Sequence, residues 1–534
     1  MFPPLGKKVK VLLVWPKIPD SFWTFSGMLE LLPEKTLMPP LGLVTVGALC
    51  PGHWTLRLID QNVEELTDDD ILWADLVMVG AMTVQKAGLH EVLARARRLG
   101  RRTMVGGPYA SGDPASMLVI ADHVVAGEPD EVFLDIAQDL EDGTARRLYE
   151  IAEKPDVTKT PIPRFDLLNL DSYVSMSIQF SRGCPFQCEF CDIIVLYGRK
   201  PRTKLPEQLV AELDRILRLG WKKQVFIVDD NFIGNHARAL NLCVELEKWQ
   251  QARGFPVMFY TEASMDLARK PALVDAMVRA NFFYVFLGIE SPSKESLTEV
   301  KKLQNLAMDP VSCVDLLHQR GLWVTGGFIV GFDSDTEEIF DLQIEFIERT
   351  AIPWALLNFL HALPRTALHD RMEREGRMLV ESRVSSSDGT PPNFRTAMDP
   401  SVLLRGFGKT ISAIYQPEKF YERAWRSLEK WEAQRCQHPA KEPTAGEVLR
   451  ILARSIWRQG LRSSYRASYW KFLVKIFGRY LMNRPKMWMA FTILISGHHF
   501  IPYASEVAQR VEMESEVLNT RDTPLELVAA PVAD

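Results

Sequence analysis

Short apolar runs alternate with segments of helical period along most of the first 376 residues, and this alternation constrains the fold more than any other feature. A strand followed by a helix, repeated, builds a parallel sheet with any ligand at the carboxyl ends of the strands. The sequence therefore predicts a doubly wound α/β domain over residues 1–150. Its predicted strands are Val9–Trp15, Thr55–Ile59, Leu76–Gly80, Thr103–Val105 and His123–Ala126.

A proline-spotted linker over residues 151–175 separates this domain from a second alternating stretch over residues 176–376. A closed eight-stranded barrel takes about 250 residues. Six strand-like runs in this shorter stretch therefore favour a partial (β/α)6 barrel of the TIM type. Its predicted strands are Met176–Ser181, Gln224–Asp229, Val257–Thr261, Tyr284–Glu290, Trp323–Gly331 and Ala355–Leu360.

Beyond the barrel the strand pattern fades, and residues 377–515 are typical of a helical domain. The last stretch, residues 516–534, is polar and proline-containing, and we expect it to be disordered. The chain of 534 residues is thus interpreted as three domains followed by a tail.

Charge and cysteine usage narrow the function classes. The 63 basic and 68 acidic residues nearly balance, which gives no electrostatic argument for a nucleic-acid partner. No secretory signal is recognisable, and no apolar run reaches the roughly 18 residues of a membrane span. We therefore expect a reducing cytoplasm, where clustered cysteines more often hold metal than form disulfides.

Three of the seven cysteines, Cys184, Cys188 and Cys191, fall directly after the first predicted barrel strand. Three thiolates on one loop can hold three irons of a 4Fe-4S cluster and leave the fourth iron open. A structural zinc site would need a fourth ligand at similar spacing, and the nearest ones in sequence are His236 and Cys243. A chance grouping of buried cysteines is the remaining alternative.

The spacing C-x3-C-x2-C, with the aromatic Phe190 before the last cysteine, resembles the signature of the radical S-adenosylmethionine (radical SAM) superfamily. The resemblance implies that the open iron binds S-adenosylmethionine and that reduction yields a 5'-deoxyadenosyl radical. Polar groups at the ends of barrel strands suit binding of that cofactor, although acidic residues also cap helices there. The predicted S-adenosylmethionine residues are Phe190, Asp229, Asp230, Glu262, Glu290 and Gly331.

The first domain resembles the Rossmann-like cobalamin-binding domain of cobalamin-dependent radical SAM enzymes. It lacks the D-x-H-x-x-G motif that supplies a histidine to cobalt in many such domains, so the lower axial ligand stays open. A domain that has lost the cofactor is the alternative. The predicted cobalamin residues are Pro39, Asp60, Asn62, Gly106, Gly107, Pro108, Gly127 and Glu128.

Four further stretches resemble members of this group that have a helical C-terminal extension: Gly198–Lys204, Val228–Gly234, Ala362–Thr366 and Asn393–Phe394. Across residues 9–430 the sequence is similar to hopanoid C-2 methylases, the best understood of these members. This similarity implies a methyltransferase that uses methylcobalamin to methylate an unactivated carbon of a hydrophobic lipid, isoprenoid or polycyclic substrate. It also implies an electron donor such as flavodoxin or ferredoxin. Two alternatives stay open: an oxidative cyclase or ring-rearranging enzyme with the same cofactors, and a sensor of cluster and cobalamin without turnover.

Two further patterns have two interpretations each. The basic residues Arg199, Lys200, Arg202 and Lys204 follow the cysteines and either bind a carboxylate or phosphate or form a solvated loop. C-terminal aromatic residues interleaved with Lys and Arg suit peripheral contact with a membrane surface or a hydrophobic substrate, or form the core of the helical domain. These aromatic residues are Trp457, Tyr469, Trp470, Phe472, Phe477, Trp488 and Phe491.

Overall fold

A computed structural model describes residues 3–379, 388–434, 437 and 444–520. The chain divides into two compact units. The front unit comprises residues up to 19, residues 34–185 and residues 192–221, and the second unit comprises residues 20–33, 186–191 and 222 onward. Among the described residues, no helix combines the length and the apolar character that spanning a membrane requires.

The front unit is built on a six-stranded sheet in the order β2-β1-β3-β4-β5-β6, with every pair parallel. Strands β1 to β5 are those expected from the apolar runs, and the short β6 was not predicted. Apolar clusters cover both faces of the sheet, as a doubly wound fold requires. The strands are β1 Lys10–Trp15, β2 Thr55–Asp60, β3 Leu76–Gly80, β4 Arg102–Gly106, β5 His123–Ala126 and β6 Leu148–Glu150.

The predicted first barrel strand forms as β7, Ser175–Ile178, within the front unit. It is followed by a small antiparallel hairpin of β8, Ser181–Arg182, and β9, Arg202–Thr203. The cysteine motif lies in the sequence between β8 and β9. Residues 151–185 and 192–221 thus count with the front unit.

The other five predicted barrel strands form a parallel series in the second unit, in the order β14-β13-β12-β11-β10. Together with the front sheet they confirm the predicted α/β class. The strands are β10 Gln224–Ile227, β11 Met258–Ala263, β12 Phe282–Glu290, β13 Trp323–Val330 and β14 Ala355–Phe359.

Twenty α-helices connect and follow these strands in the described parts of the chain. A π-helix, Ile456–Leu461, links α18 to the rest of the C-terminal region. The helices are α1 Ser26–Leu29, α2 Leu41–Leu49, α3 Asp68–Trp73, α4 Lys86–Arg98, α5 Pro108–Gly112, α6 Pro114–Ile120, α7 Phe133–Asp142, α8 Ile193–Leu196, α9 Pro206–Arg218, α10 His236–Arg253, α11 Pro271–Arg279, α12 Lys294–Glu299, α13 Pro310–Gln319, α14 Glu338–Thr350, α15 Ala367–Arg374, α16 Pro400–Ile414, α17 Pro417–Lys430, α18 Ala445–Ser455, α19 Arg466–Tyr480 and α20 Arg484–Thr520.

Helix α20 is 37 residues long and extends into the segment expected to be a disordered tail. Residues 516–520 of that segment belong to the helix, so the expectation is wrong for them. Residues 521–534 lie outside the described residues, and for them it stays a prediction.

Candidate active site

The stem of the cysteine loop is closed by backbone contacts within the front unit. Gly183 has a φ of +91°, and a Cβ there would lie 2.7 Å from the carbonyl oxygen of Gly198. The next residue, Cys184, donates its amide to that same carbonyl at 3.2 Å. Glycine at position 183 is therefore required both by its backbone conformation and by space.

A buried ion cluster anchors this stem to the loop after β5. Arg182 Nη1 lies 2.9 Å from Glu128 Oε2 and 2.8 Å from Asp130 Oδ2, and Arg202 Nη2 lies 2.7 Å from Glu128 Oε1. Burial alone would raise the pKa of Asp130, but Arg182 holds it below its usual value. Glu128, which the sequence assigns to cobalamin, is thus engaged by two arginines of the chain itself.

The basic residues after the cysteines do not form a single ligand site. Arg202 belongs to the ion cluster just described, and Lys204 is buried and pairs with Glu212 of α9 at 2.5 Å. Arg199 and Lys200 are exposed. Arg199 and Lys200 thus fit the solvated loop, whereas Arg202 and Lys204 serve internal ion pairs that neither interpretation anticipated.

In the second unit, Glu189, the first of the two residues between Cys188 and Cys191, is held from two sides. The amide of Glu189 donates to the carbonyl of Val300 at 3.1 Å, and its carbonyl accepts from the amide of Leu368 at 2.9 Å. Its carboxylate lies 2.8 Å from Lys301 Nζ and 3.4 Å from Arg371 Nε. Residues from the ends of α12 and from α15 therefore fix this part of the loop.

Arg371 also binds carboxylates from two other segments. Its guanidinium lies 2.8 Å from Asp333, after β13, and 3.3 Å from Glu299, at the end of α12. Asp333 is bound by Arg377 as well, at 2.6 Å. Burial alone would raise the pKa of Asp333, but its hydrogen bonds with Arg377 and Arg371 hold it below its usual value.

Cys188 is buried and has a cationic neighbour and a hydrogen-bond donor. The Nε2 of Gln304 lies 3.6 Å from its Sγ. Burial alone would lower the pKa of Lys302, but Glu290 and the thiols of Cys188 and Cys191 raise it above its usual value. A positive charge and an N–H donor beside the sulfur suit a thiolate that ligates iron.

Glu290 occupies a strained position at the end of β12. Its φ is +66°, which is rare for a residue with a side chain, and the register with β13 shifts just before it. Its carboxylate pairs with Lys302. A Cβ on Gly288 would lie 2.7 Å from both Glu290 Oε1 and Lys302 Nζ, so the ion pair needs glycine there.

Three of the predicted S-adenosylmethionine residues influence one another electrostatically. Glu262 on β11 has a pKa raised to about 8, first by burial and then by the negative charges of Asp230 and Glu290. Asp229, which directly precedes Asp230 in the sequence, is fully buried. The strand ends thus bring acidic side chains together, as the sequence predicts, and Glu262 is protonated at neutral pH.

The remaining two predicted S-adenosylmethionine residues lie at the ends of other segments. Gly331, with a φ of +101°, donates its amide to Asp335 Oδ2 at 2.8 Å. Phe190 packs against an apolar cluster that includes Leu368, Met372 and Phe394 from the region after β14. That region therefore contributes to the surroundings of the cysteine motif.

Half-buried aromatic side chains line one face of the second sheet. We call Phe226, Tyr260, Tyr284 and Phe286 the aromatic face. Phe226 and Tyr260 stack with ring centroids 4.6 Å apart, and Tyr260 and Tyr284 are 5.3 Å apart. Trp23 from the N-terminal segment packs on Phe286 at 4.7 Å. The result is a broad apolar surface on the side of the sheet that also carries Glu262.

In the front unit, the predicted cobalamin residues follow the carboxyl ends of β2, β4 and β5. Asp60 is buried and its carboxylate accepts from Asn62 Nδ2 at 2.7 Å and Tyr173 Oη at 3.1 Å. Burial raises the pKa of Asp60. Pro39 is buried just before α2. Asp60 and Asn62 therefore shape their own turn.

The glycine loops are tied together by one hydroxyl. Ser111 Oγ accepts from the amide of Gly127 at 2.9 Å and donates to the carbonyl of Gly107 at 2.9 Å. Gly107 has a φ of +93°, and Gly106 and Pro108 flank it at the start of α5. Gly127 has a φ of +107°, and a Cβ there would lie 2.3 Å from the carbonyl oxygen of Ile151.

Comparison with known proteins decides the family. The radical SAM superfamily model matches residues 178–347, and a domain of unknown function, DUF4070, matches residues 366–513. An uncharacterized methyltransferase of Synechocystis sp. is 41% identical over 94% of this chain and 93% of its own length. Hopanoid C-2 methylase of Rhodopseudomonas palustris is 33% identical over 94% of both chains. The chain belongs to the radical SAM superfamily. It shares a family of methyltransferases with these two relatives.

A solved radical SAM structure has the same fold along nearly the whole chain. The cobalamin-dependent S-adenosylmethionine radical enzyme OxsB, with aqua-cobalamin and S-adenosylmethionine bound, superposes with a TM-score of 0.58. The match covers 97% of this chain and 82% of that one, at 16% identity. At 16% identity, this structural similarity shows a shared fold and not a shared substrate or reaction.

The radical SAM domain implies a 4Fe-4S cluster and S-adenosylmethionine as cofactors, and the residues of the second unit fit both. Cys184, Cys188 and Cys191 form no disulfide. Soft sulfur ligands beside Lys302 and Gln304 suit a cluster, while the acidic strand ends suit the amino group of S-adenosylmethionine. Among the predicted cobalamin residues of the front unit, Asp60 and Glu128 also have partners within the protein.

Sequence reasoning missed the residues that act around the predicted ones. Gln304 lies on a short 3-10 helix, Leu303–Ala307, and Lys302 directly precedes it; neither belongs to a recognisable motif. Arg182 is adjacent to the cysteine motif, and its position in the sequence Ser-Arg-Gly-Cys was a usable signal. Arg371 gave no signal, because its partners Glu189 and Asp333 are distant in sequence.

Proposed function

We propose that this radical SAM enzyme is a cobalamin-dependent C-methyltransferase that methylates an unactivated carbon of a hydrophobic lipid, isoprenoid or polycyclic molecule. The full-length similarity to a hopanoid C-2 methylase carries the proposal, because it includes the front and C-terminal regions as well as the radical SAM domain. In the family, the bound cluster supplies the electron that cleaves S-adenosylmethionine to a 5'-deoxyadenosyl radical, and cobalamin supplies the methyl group.

The proposed cluster ligands are Cys184, Cys188 and Cys191. Gln304 and Lys302 place an N–H donor and a positive charge beside Cys188. Hydrogen bonds and charges beside a ligating sulfur tune an iron-sulfur cluster. The proposed S-adenosylmethionine residues are Phe190, Asp229, Asp230, Glu262, Glu290 and Gly331, and the proposed cobalamin residues are Pro39, Asp60, Asn62, Gly106, Gly107, Pro108, Gly127 and Glu128.

The aromatic face supports the substrate class. Its four rings and Trp23 offer apolar contact to a flat, fused hydrocarbon, and they exclude water from the side of the sheet that carries Glu262. Tyr284 Oη accepts from Thr325 Oγ1 at 3.0 Å, so its polar end is already satisfied. The face thus needs no polar group on the substrate.

Turnover with S-adenosylmethionine labelled in the methyl group tests the reaction. Protein reconstituted anaerobically with iron, sulfide and cobalamin is given a hopanoid and a low-potential donor such as flavodoxin or ferredoxin, which is the electron-transfer partner we propose. We expect 5'-deoxyadenosine and a product that carries the label. If 5'-deoxyadenosine forms but the product carries no label, the enzyme oxidises or cyclises its substrate and methyl transfer is contradicted. If no 5'-deoxyadenosine forms, the result favours a sensor without turnover.

Cysteine substitution tests the ligand assignment. We expect Cys188→Ala to abolish both the cluster absorbance and the cleavage of S-adenosylmethionine. Cys313→Ala is the matched control, because Cys313 is also a buried free cysteine but lies on α13, outside the motif. Retention of the cluster by the Cys188 variant, or its equal loss in the control, would contradict the assignment.

A further inference from the structure

A strongly basic stretch coincides with the densest exposed apolar surface of the described chain. Residues 445–486, which include α18, the π-helix and α19, contain ten basic residues and a single acidic one, Glu447. The whole chain has a net charge of -5. Nine of the twenty exposed large apolar side chains of the described residues lie between Val448 and Met482. Charge and apolar exposure are thus concentrated in the same helices.

The exposed apolar residues lie in two helical stripes. Along α19 they are Trp470, Val474, Phe477 and Leu481, spaced three or four residues apart as one helix face requires. Along α18 and the π-helix, Leu449, Trp457 and Leu461 repeat at multiples of four residues, each followed directly by an arginine. The arginines are Arg450, Arg458 and Arg462.

The two stripes adjoin one another. Trp470 Nε1 donates to the carbonyl of Gly460 in the π-helix at 2.9 Å. A Cβ on Gly460 would lie 3.2 Å from the Trp470 ring, so glycine lets the indole lie against the π-helix. We call the combined surface, residues 448–482 of these helices, the basic apolar face.

The same helices keep a core of their own. Tyr469 and Phe472 are buried, and Phe472 stacks on Tyr421 of α17 with ring centroids 4.8 Å apart. The aromatic residues of this region therefore divide between both interpretations of the sequence. The same helices also expose large aliphatic side chains that take no part in this core. The exposed fraction is 94% for Met482, 69% for Val474 and 67% for Leu449.

We propose that the basic apolar face docks the enzyme on an anionic phospholipid bilayer. Exposed Leu, Val, Met, Phe and Trp side chains insert into the boundary between headgroups and acyl chains, and flanking Lys and Arg side chains bind anionic headgroups. A second copy of this chain is a poorer partner, because residues 448–482 contain eight basic residues and no acidic one, so pairing two such faces would oppose like charges. Nucleic acid offers phosphates but no apolar phase for the aliphatic residues.

A cavity at the edge of the face suits a headgroup. It has a volume of about 340 Å³ and is lined by Arg458, Arg462, Ser463, Ser464, Tyr465, His498 and Pro502. Arg458 is partly neutralised by Glu30 at 3.2 Å, and Arg462 lies over the Trp457 ring at 5.1 Å. Guanidinium and hydroxyl donors of this kind bind phosphate oxygens.

Vesicle sedimentation with the full-length protein tests the proposal without any turnover, so it can fail independently of the proposed methyl transfer. We expect binding to vesicles of phosphatidylglycerol mixed with phosphatidylcholine and at least tenfold weaker binding to phosphatidylcholine alone. High salt should reduce the binding, because it screens the charges. Equal binding to both vesicles, or none to either, would overturn the proposal.

Two variants of the face and one matched control locate the contact. Trp457→Ser with Leu481→Ser, and separately Lys471→Glu with Lys475→Glu, should each weaken vesicle binding at least tenfold. Val119→Ser with Leu134→Ser is the control, because these side chains are 72% and 64% exposed but lie on the front unit. Thermal unfolding checks that all three variants stay folded.

The proposal fails if the control loses as much vesicle binding as the face variants. It also fails if the face mediates a dimer that size-exclusion chromatography detects in the parent protein and not in the Trp457→Ser, Leu481→Ser variant.

Discussion

At the scale of single residues, the structure explains why several predicted ligand positions have their identities. Gly127 follows β5 and is one of the predicted cobalamin residues. The structure supplies an internal reason, because Ile151 of the chain itself lies against the position of a Cβ. A glycine at a strand end therefore does not by itself identify a cofactor crevice.

Replacing Gly127 by alanine tests this reason. We expect Gly127→Ala to lower the free energy of unfolding by about 2 kcal/mol or more, because the methyl group overpacks against a carbonyl and the positive φ is strained. Gly112→Ala is the control, since Gly112 lies on α5 with no atom within 4 Å of the added Cβ. Denaturant unfolding of both variants measures the difference, and equal stability would contradict the steric explanation.

Glu262 predicts a pH dependence of stability. Its pKa in the fold is about 8, above the ordinary value of 4.5, so the folded state holds this proton more tightly than the unfolded state. The stability of the parent protein should therefore fall as the pH rises from about 4.5 to 8, by at most ~1.4 kcal/mol per pH unit from this one group. Below about pH 4.5 Glu262 is protonated in both the folded and the unfolded state, so burying it costs no charge.

The Glu262→Gln variant removes this titration. In protein without added S-adenosylmethionine, we expect the variant to gain stability over the parent at pH 8.5 and to lose that advantage at pH 5. Denaturant unfolding at the two pH values checks this. If the variant is more stable than the parent by the same amount at pH 5 and at pH 8.5, then Glu262 is ionised in the folded protein at both pH values and the prediction is contradicted.

At the scale of elements, the start of the DUF4070 region acts on the cysteine loop. Leu368 and Arg371 of α15 bind Glu189 from the backbone and from the side chain, and Arg371 also bridges to β13 through Asp333. The sequence alone shows none of this, because Glu189 lies 179 positions before Leu368 and 182 before Arg371. The strands were predictable because a parallel strand needs a local apolar run, whereas an ion pair leaves no local pattern.

Replacing Arg371 tests the role of α15. We expect Arg371→Ala to lower the free energy of unfolding by about 2 kcal/mol, because charged hydrogen bonds to Asp333 and Glu299 are lost. We also expect less iron per chain after anaerobic purification, because the loop around Glu189 is released. Arg374→Ala on the same helix is exposed and should match the parent in both measurements. Iron retention equal to that of the control would contradict a role for α15 in holding the loop.

At the scale of the whole molecule, each of the two compact units is assembled from separate stretches of the sequence. Phe22, which lies in sequence next to the front strands, packs in the second unit against Phe500 and Tyr415, with ring centroids 5.9 and 5.3 Å away. Apolar periodicity identifies elements, but it does not say which unit an irregular aromatic segment joins. The segment from residue 20 to 33 precedes β2 in the sequence but belongs to the second unit.

Phe500 lies at the centre of an aromatic cluster in the core of the second unit. Its ring centroid is also 6.4 Å from that of Trp354 and 6.3 Å from that of Phe420. We expect Phe500→Ala to lower the free energy of unfolding by about 3–5 kcal/mol, because a fully buried ring leaves a cavity. Phe477→Ala on α19, where the ring is 36% exposed, should cost clearly less. Denaturant unfolding of both variants checks the order, and a reversed order would contradict the packing described.

The polypeptide passes from one unit to the other five times, after residues 19, 33, 185, 191 and 221. Cys188 and Cys191 lie on an excursion of six residues that begins and ends in front-unit sequence. A gene fragment that encodes the front unit as one continuous piece therefore carries all three motif cysteines, two of them from the second unit. A single crossover between relatives cannot exchange either unit whole, because each unit is encoded in separate stretches of the gene.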